Sequence, residues 1–413
     1  MALGLVAAAL CSVLTGCVFT PSTFNAVDAD DELVMWSYVG TDEPSMVALN
    51  KKFERQNPGV QVKVVNIPLS EFGPKLVAAA GTKAGPDVII GNPVADFDLL
   101  AGADVYADLS EQLDNSALRE NLQDEAIWTD GSEVLALQWR FNNLGFWYNK
   151  SILNKHGIEP PDTVQELEKA MTKVIRESEN FGMAMAGAPQ VPTAWQAIHW
   201  MLGYGANYCN IESSGTVKAM KMVDRWQENG LLAPHVTTLD QNQAFDAFAT
   251  GNYAFAIGGS WEMASLEQSP LKFDVGTSLI PAGPQGSYST FAGESIGIGR
   301  FADNPDLAWE LIKTYLQPSS QLTTFEMVGA LPPSPKVRSR EAVQQVELSE
   351  PFVTAMNEDH LKPWPENSRT LEAQTAVGTI YSSMLADAFP PKKAANKMAA
   401  AVKTAFEKGT GDC

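Results

Sequence analysis

The sequence predicts an α/β protein of two lobes, and three observations carry that prediction. Strand-like and helix-like patterns alternate from Glu32 onward. The chain has 413 residues, enough for two cored lobes and too many for one ordinary domain. Two strand patterns, Val134 to Phe141 and Leu144 to Asn149, meet at Asn142 and Asn143. On local pattern that junction is either a β-hairpin turning at the asparagines or a crossover that closes one lobe and opens the next.

The first strand, Leu33-Val34-Met35-Trp36-Ser37-Tyr38, is a buried run, and the loop after it leads to a helix with Met46, Leu49 and Phe53 at helical spacing. Asn57-Pro58-Gly59 ends that helix, and Val60 to Val64 alternates as a second strand. A helix from Phe72 to Lys83 precedes Pro86-Asp87-Val88-Ile89-Ile90, whose continuous apolar character places it inside a parallel sheet. This βαβαβ order makes a doubly wound sheet, on which ligands sit beyond the carboxyl ends of the strands. The rule selects the loops Tyr38 to Glu43 and Asn92 to Asp96. Past the crossing, Thr163 to Glu166 forms a capping box for a helix with Val164, Leu167, Met171 and Val174 on one face. A later helix stops at Gly251, a strand runs to Ile257, and Gly258-Gly259 turn the backbone to present Ser260 and Trp261. Gly293 to Gly299 holds another strand pattern, Asn304-Pro305 cap the next helix, and the chain is mostly helical from about Ser319.

Several of these stretches carry a resemblance. KKFERQNPGVQV, AAGTKAGPDVI, LGFWYNKSILNKHGIEPPDTVQEL, the run from Phe245 to Trp261 and the run from Gly293 to Gly299 occur in the order found in extracellular solute-binding lipoproteins of carbohydrate ABC importers. The chain is similar to that maltose-binding-protein-like group, the family 1 solute-binding proteins. The resemblance implies a type II periplasmic-binding-protein-like fold, each lobe a sheet flanked by helices, with the ligand cleft at the hinge. It assigns residues 31–141 plus 291–317 to lobe I and 142–290 plus 318–413 to lobe II.

The N-terminus reads as an address. Leu3 to Leu14 is apolar but too short to span a membrane, and Leu14-Thr15-Gly16-Cys17 resembles a bacterial lipobox. Residues 1–17 are then a lipoprotein signal peptide ending at the acylated Cys17, and 18–30 a polar, proline-bearing tether. The alternative is a buried apolar N-terminus with a chance cysteine. The first basic residue is Lys51, a departure from signal-peptide pattern that leaves open a true start upstream of Met1. With Cys11 cleaved and Cys17 acylated, Cys209 and Cys413 remain, and an even remainder in an oxidising compartment motivates a disulfide between them. The expected location is the outer face of the cytoplasmic membrane, held by the lipid, as a monomer.

Net charge is −20, from 49 acidic and 29 basic residues, and no basic cluster interrupts it, which argues against nucleic acid as a partner. Gly293-Glu294-Ser295-Ile296-Gly297 fits the GxSxG pattern of a hydrolase, but an elbow needs its serine between strand and helix, and here a strand-like run follows Ser295. His156, His199, His235 and His360 show no paired metal spacing, so neither metal nor cofactor is expected. The two opposed carboxylates of a glycosidase stay open, since only their separation in space decides.

A sugar site needs apolar faces for stacking and fixed donors and acceptors for hydroxyls. Trp36, Trp139 and Trp309 fall in strand or helix interiors and are assigned to packing. The resemblance implies ligand contact for Trp195 and Trp261. Polar candidates are Asp42, Asn92, Asp96 and Asn142, where Asp42 and Asp96 can equally be helix-cap or first-turn carboxylates and Asn142 a turn residue. Ser260, Gly293 and Glu294 stand at glycine-bearing turns, Tyr38 ends the first strand, and Arg369 corresponds to a late ligand-contacting segment or else is a surface arginine. The expected function is capture of an oligosaccharide, disaccharide or amino sugar by hinge closure and delivery to a membrane permease. The alternatives are a glycerophosphodiester or glycerol-phosphate binder, and an exported carbohydrate-active hydrolase.

Overall fold

The computed structural model describes residues 32–413; the expectations for Leu3 to Leu14, Cys17 and the tether lie outside them. In chain order the strands are β1 (Glu32–Ser37), β2 (Gln61–Asn66), β3 (Val88–Gly91), β4 (Ile127–Asp130), β5 (Glu133–Asn142), β6 (Leu144–Asn149) and β7 (Phe181–Ala184). They continue with β8 (Tyr253–Gly259), β9 (Val275–Ser278), β10 (Ser289–Thr290), β11 (Ala292–Ile298), β12 (Leu361–Lys362), β13 (Glu366–Asn367) and β14 (Gly411–Asp412).

Two principal sheets result. The first has the order β2-β1-β3-β11-β5-β4, with β1 parallel to β2 and β3 and with β11 antiparallel to β3 and β5. The second has the order β7-β8-β6-β9, and only β7 and β8 run parallel. The first sheet is thus mixed where the βαβαβ pattern predicts a parallel one. Its parallel part is the predicted one, β1 to β3, and β11 returns from far along the chain to run against β3. All four residues of β3 are buried, as an interior strand requires.

The junction at Asn142 and Asn143 is a crossing between sheets. β5 pairs with β4 and β11, β6 pairs with β8 and β9, and the hairpin alternative is excluded. Asn143 is pinned there by its Nδ2 donating to the Phe352 carbonyl at 3.1 Å. The return from β10 to β11 passes through Phe291. A third pass is tied down where Leu331 and Phe141 exchange both backbone hydrogen bonds, at 2.9 and 2.7 Å.

Packing follows from the periodicities. The Pro44–Gln56 helix buries Met46, Leu49 and Phe53 in one core with Leu33, Met35, Trp139, Ile296 and Tyr315. A second core gathers Phe146, Met171, Met183, Trp200, Trp226, Phe255 and Tyr381. Burial of each such side chain contributes about 1.5–3 kcal/mol. Trp139 and Trp309 are buried as expected of packing residues, whereas Trp36 is half-buried. The Thr163 capping box is formed, with Glu166 reaching back to the Thr163 N–H at 3.1 Å. The helix expected from Phe72 to Lys83 runs Leu69–Gly81, and β4 was not legible in the pattern.

Cys209 and Cys413 form a disulfide with Cα atoms 5.1 Å apart, and β14 pairs with β13 so that the tail lies beside residues 366–367.

Candidate functional site

The three passes between sheets surround a cleft of about 590 Å³. Its first wall is built from the carboxyl ends of strands, as the doubly wound rule predicts. Tyr38, Val39 and Glu43 follow β1, Asn92 and Val94 follow β3, and Arg140 and Asn142 end β5. Glu294 and Gly293 come from β11 beside them. The opposite wall carries Trp195, Gln241, Trp261 and Trp364.

At the first wall a buried polar network is assembled around Arg140. Glu294 stands directly opposite Arg140 in the β5–β11 ladder, and the ladder then slips so that Ser295 faces Gln138 and Trp139 is the extra residue. Such a bulge re-aims side chains beside a site. Gly293 allows it, with φ of 125° and so little room that a Cβ would stand 2.1 Å from the Arg140 carbonyl oxygen. Arg140 Nε donates to Glu294 Oε2, and Nη1 donates to Glu43 Oε1 at 2.7 Å and to Ser45 Oγ at 3.3 Å. Tyr38 donates its hydroxyl to Glu294 Oε1 at 2.6 Å. Burial alone would lower the Arg140 pKa, but the Glu294 and Glu43 carboxylates outweigh it and hold the guanidinium charged. Burial, then the Glu294 charge, raises the Tyr38 pKa well above its ordinary value, so the phenol stays a donor.

Glu43 owes its place to a second duty. Its Oε2 accepts the Met46 N–H at 2.6 Å as the N-cap of the Pro44–Gln56 helix, leaving Oε1 for Arg140. Two further cleft groups are acceptors without a partner among the described residues: Asn92 Oδ1 and Gln241 Oε1, both buried.

The tryptophans are held by their own bonds. Trp195 Nε1 donates to Gln374 Oε1 at 3.1 Å, and Trp364 Nε1 donates to the Phe291 carbonyl at 3.1 Å. Trp261 lies across the Gly259 Cα, where an added Cβ would be 2.1 Å from the ring. Fixed aromatic faces across from fixed donors and acceptors make a surface suited to a molecule with apolar faces and hydroxyl edges.

Of the residues singled out from sequence, Tyr38, Asn92, Asn142, Trp195, Trp261, Gly293 and Glu294 line this cleft. Asp42, Asp96, Ser260 and Arg369 do not. Asp42 is exposed, because the cap geometry turns Glu43 inward instead. Ser260 is fully buried and its N–H donates to the Asn143 carbonyl at 3.2 Å. Arg369 is exposed, 3.7 Å from Glu372. Asp96 is 1% exposed, and neither carboxylate oxygen has a partner among the described residues. It borders a separate groove of about 860 Å³ shared with Arg369, and burial pushes its pKa up to about 7.

Sequence reasoning passed over Arg140, Gln241 and Trp364, and reached Glu43 only as the end of the selected loop Tyr38 to Glu43. Arg140 sits in an otherwise buried strand run, and a lone arginine there was itself a signal, since a buried charge demands partners. Ser295 lies in mid-strand, paired on both sides, so it is no nucleophile elbow. His360, the histidine that would complete such a triad, has its Nδ1 2.8 Å from the Ser287 carbonyl oxygen.

The model of the family described as bacterial extracellular solute-binding protein matches residues 48–350. The multiple sugar-binding protein of Streptococcus mutans is 23% identical over 276 residues, covering 61% of each chain. Among solved structures, maltose-bound T. maritima MalE3 superposes with a TM-score of 0.81 at 21% identity, over 90% of this chain and 99% of that one. The GacH receptor of Streptomyces glaucescens, solved unliganded and with acarbose, gives 0.80 at 21% identity, over 91% and 98%. With its two sheets meeting at a cleft and a family match across most of its length, this chain belongs to the bacterial extracellular solute-binding proteins.

Proposed function

We propose that the chain captures a carbohydrate between its lobes and delivers it to the permease of an ABC importer. The observation that carries this reading is the pairing of the two cleft walls: Trp195, Trp261 and Trp364 opposite the Tyr38, Glu43, Arg140 and Glu294 network. Pyranose C–H faces stack on indoles, and ring hydroxyls take fixed donors and acceptors. The names of the sugar-binding relatives point the same way.

The mechanism is hinge closure. The two lobes are built on the two principal sheets, with β1 to β5 and β11 in lobe I and β6 to β9 in lobe II. A ligand touching both walls has its full contacts only in the closed form, so binding shifts the population toward it. The chain is exported, anchored through lipid on Cys17, acts as a monomer, and binds without turnover. Both carboxylates at the cleft network are engaged by Arg140, which leaves neither as a free glycosidase acid. A glycerophosphodiester is disfavoured for the same reason, because the cleft guanidinium already faces two carboxylates and Arg369 lies elsewhere.

The test is a thermal-shift panel of neutral disaccharides, longer oligosaccharides, amino sugars and glycerophosphodiesters, with product analysis of each mixture. A saccharide at a hundredfold its dissociation constant adds about 2.7 kcal/mol to stability. A shift with saccharides alone and no product supports the proposal; a shift with phosphodiesters alone, or a new product, overturns it.

A further inference from the structure

A second cavity, of about 690 Å³, lies next to the cleft. The two share Trp364 and Thr290 in their walls. They also share one face of the Val191–Gly203 helix, where Trp195 lines the cleft while Ile198 and Leu202, three and seven residues on, line the second cavity. At 1.5 Å per residue that face extends about 10 Å beyond Trp195. Both volumes fall in the range of small-molecule sites.

The chemistry of the second cavity repeats that of the cleft. Tyr208 packs edge-on to Trp364, with ring centroids 5.4 Å apart. Its hydroxyl is buried, 2% of the residue being exposed, and has no partner among the described residues. Tyr288 presents a ring to Lys362, whose Nζ stands 4.8 Å from the centroid, and Gln285 is exposed at the rim. An orphaned buried hydroxyl beside aromatic and amide groups calls for a ligand that can both stack and hydrogen-bond. The Cys209–Cys413 disulfide forms part of the wall and holds the C-terminal tail against it.

We infer that this cavity is a further saccharide subsite, so that the ligand is an oligosaccharide longer than the cleft alone would hold, running past Trp364 toward the disulfide. The inference rests on the carbohydrate reading of the cleft. Tyr288 offers the stacking face and Tyr208 the unpaired hydroxyl at the inner wall, Gln285 supplies amide hydrogen bonds to the distal residues, Lys362, held by Asp359 at 3.0 Å, backs the Tyr288 ring, and the disulfide fixes the outer wall.

The experiment is calorimetric titration of the purified protein with a saccharide series of increasing length, two to six residues in one linkage. Tyr288→Ala and the surface change Gln285→Ala are titrated alongside, with unfolding midpoints measured for each. The expected result is at least a tenfold gain in affinity on lengthening, with Tyr288→Ala cutting the affinity for the longer members about tenfold, Gln285→Ala cutting it severalfold, and both leaving the shortest binding member unchanged. Equal affinity across the series, or an equal loss for short and long members in folded variants, overturns the subsite. Failure of every saccharide to bind overturns instead the reading on which it rests.

Discussion

Replacing Asp96 by asparagine keeps the shape and removes the charge, and its effect on stability is set by where that carboxyl sits. The residue is 1% exposed and neither oxygen is paired among the described residues, so ionisation in the folded protein is opposed by desolvation alone. Its pKa rises from an ordinary value of 3.8 to about 7. A carboxyl whose folded pKa is raised contributes stability that is complete below about pH 4 and is lost as pH climbs through 7, because the folded state holds the proton over that interval and the unfolded chain does not. At 1.36 kcal/mol per pH unit, wild type loses about 4 kcal/mol across the whole interval, more than half of it above pH 5. Asp96→Asn lacks this loss. Urea unfolding of both proteins at pH 5 and pH 8 therefore shows the variant gaining on wild type by about 2–3 kcal/mol between the two conditions. Glu262, whose pKa burial raises to about 8, tilts both proteins alike and cancels in the comparison. The amide's own unsatisfied atoms also cancel, being independent of pH. A stability difference that is the same at both pH values would refute the account of Asp96 as a desolvated, unpaired acid.

Other consequences concern the cleft. Arg140→Met leaves Glu43 and Glu294 buried without their cation and costs about 3–5 kcal/mol in urea unfolding, most of which returns when both glutamates are also made glutamine; no recovery would mean that Arg140 acts through packing alone. Gly259→Ala drives a methyl into the Trp261 ring, and saccharide affinity falls about tenfold, some 1.4 kcal/mol, by calorimetry. Because both changes remove the same stacking face, Gly259→Ala combined with Trp261→Ala loses no more than Trp261→Ala alone; additive losses would contradict the shared lesion.

Much of the fold was legible because it rests on local periodicity. The β1–β2–β3 unit and its helices follow from apolar spacing and from Asn57-Pro58-Gly59, and the Thr163 capping box formed as written. What could not be read locally was the partner of each strand. β11 looks like any apolar strand, yet it inserts antiparallel between β3 and β5, a choice made by tertiary packing across nearly 200 residues of intervening chain. The same limit applies to the site. Loop position alone could not separate Asp42 from Glu43, since which carboxylate turns inward depends on the cap that Glu43 makes to Met46. Trp364 stands between two prolines in a segment without period, and Arg140 gains its meaning only when the bulge sets it opposite Glu294. Arg369 fitted the family pattern by position, but its side chain projects away from the cleft network toward Glu372.

The central claim is that the tryptophan wall holds a saccharide against the Arg140 network, and one titration tests it most directly. The tightest saccharide from the panel is titrated calorimetrically into wild type and into a Trp195→Ala, Trp261→Ala double variant with a retained cooperative unfolding transition. Loss of two stacking faces, each about 0.5–1.5 kcal/mol beyond buried area, together with that area, predicts at least a hundredfold weaker binding. A folded double variant that binds the saccharide as tightly as wild type would contradict the account.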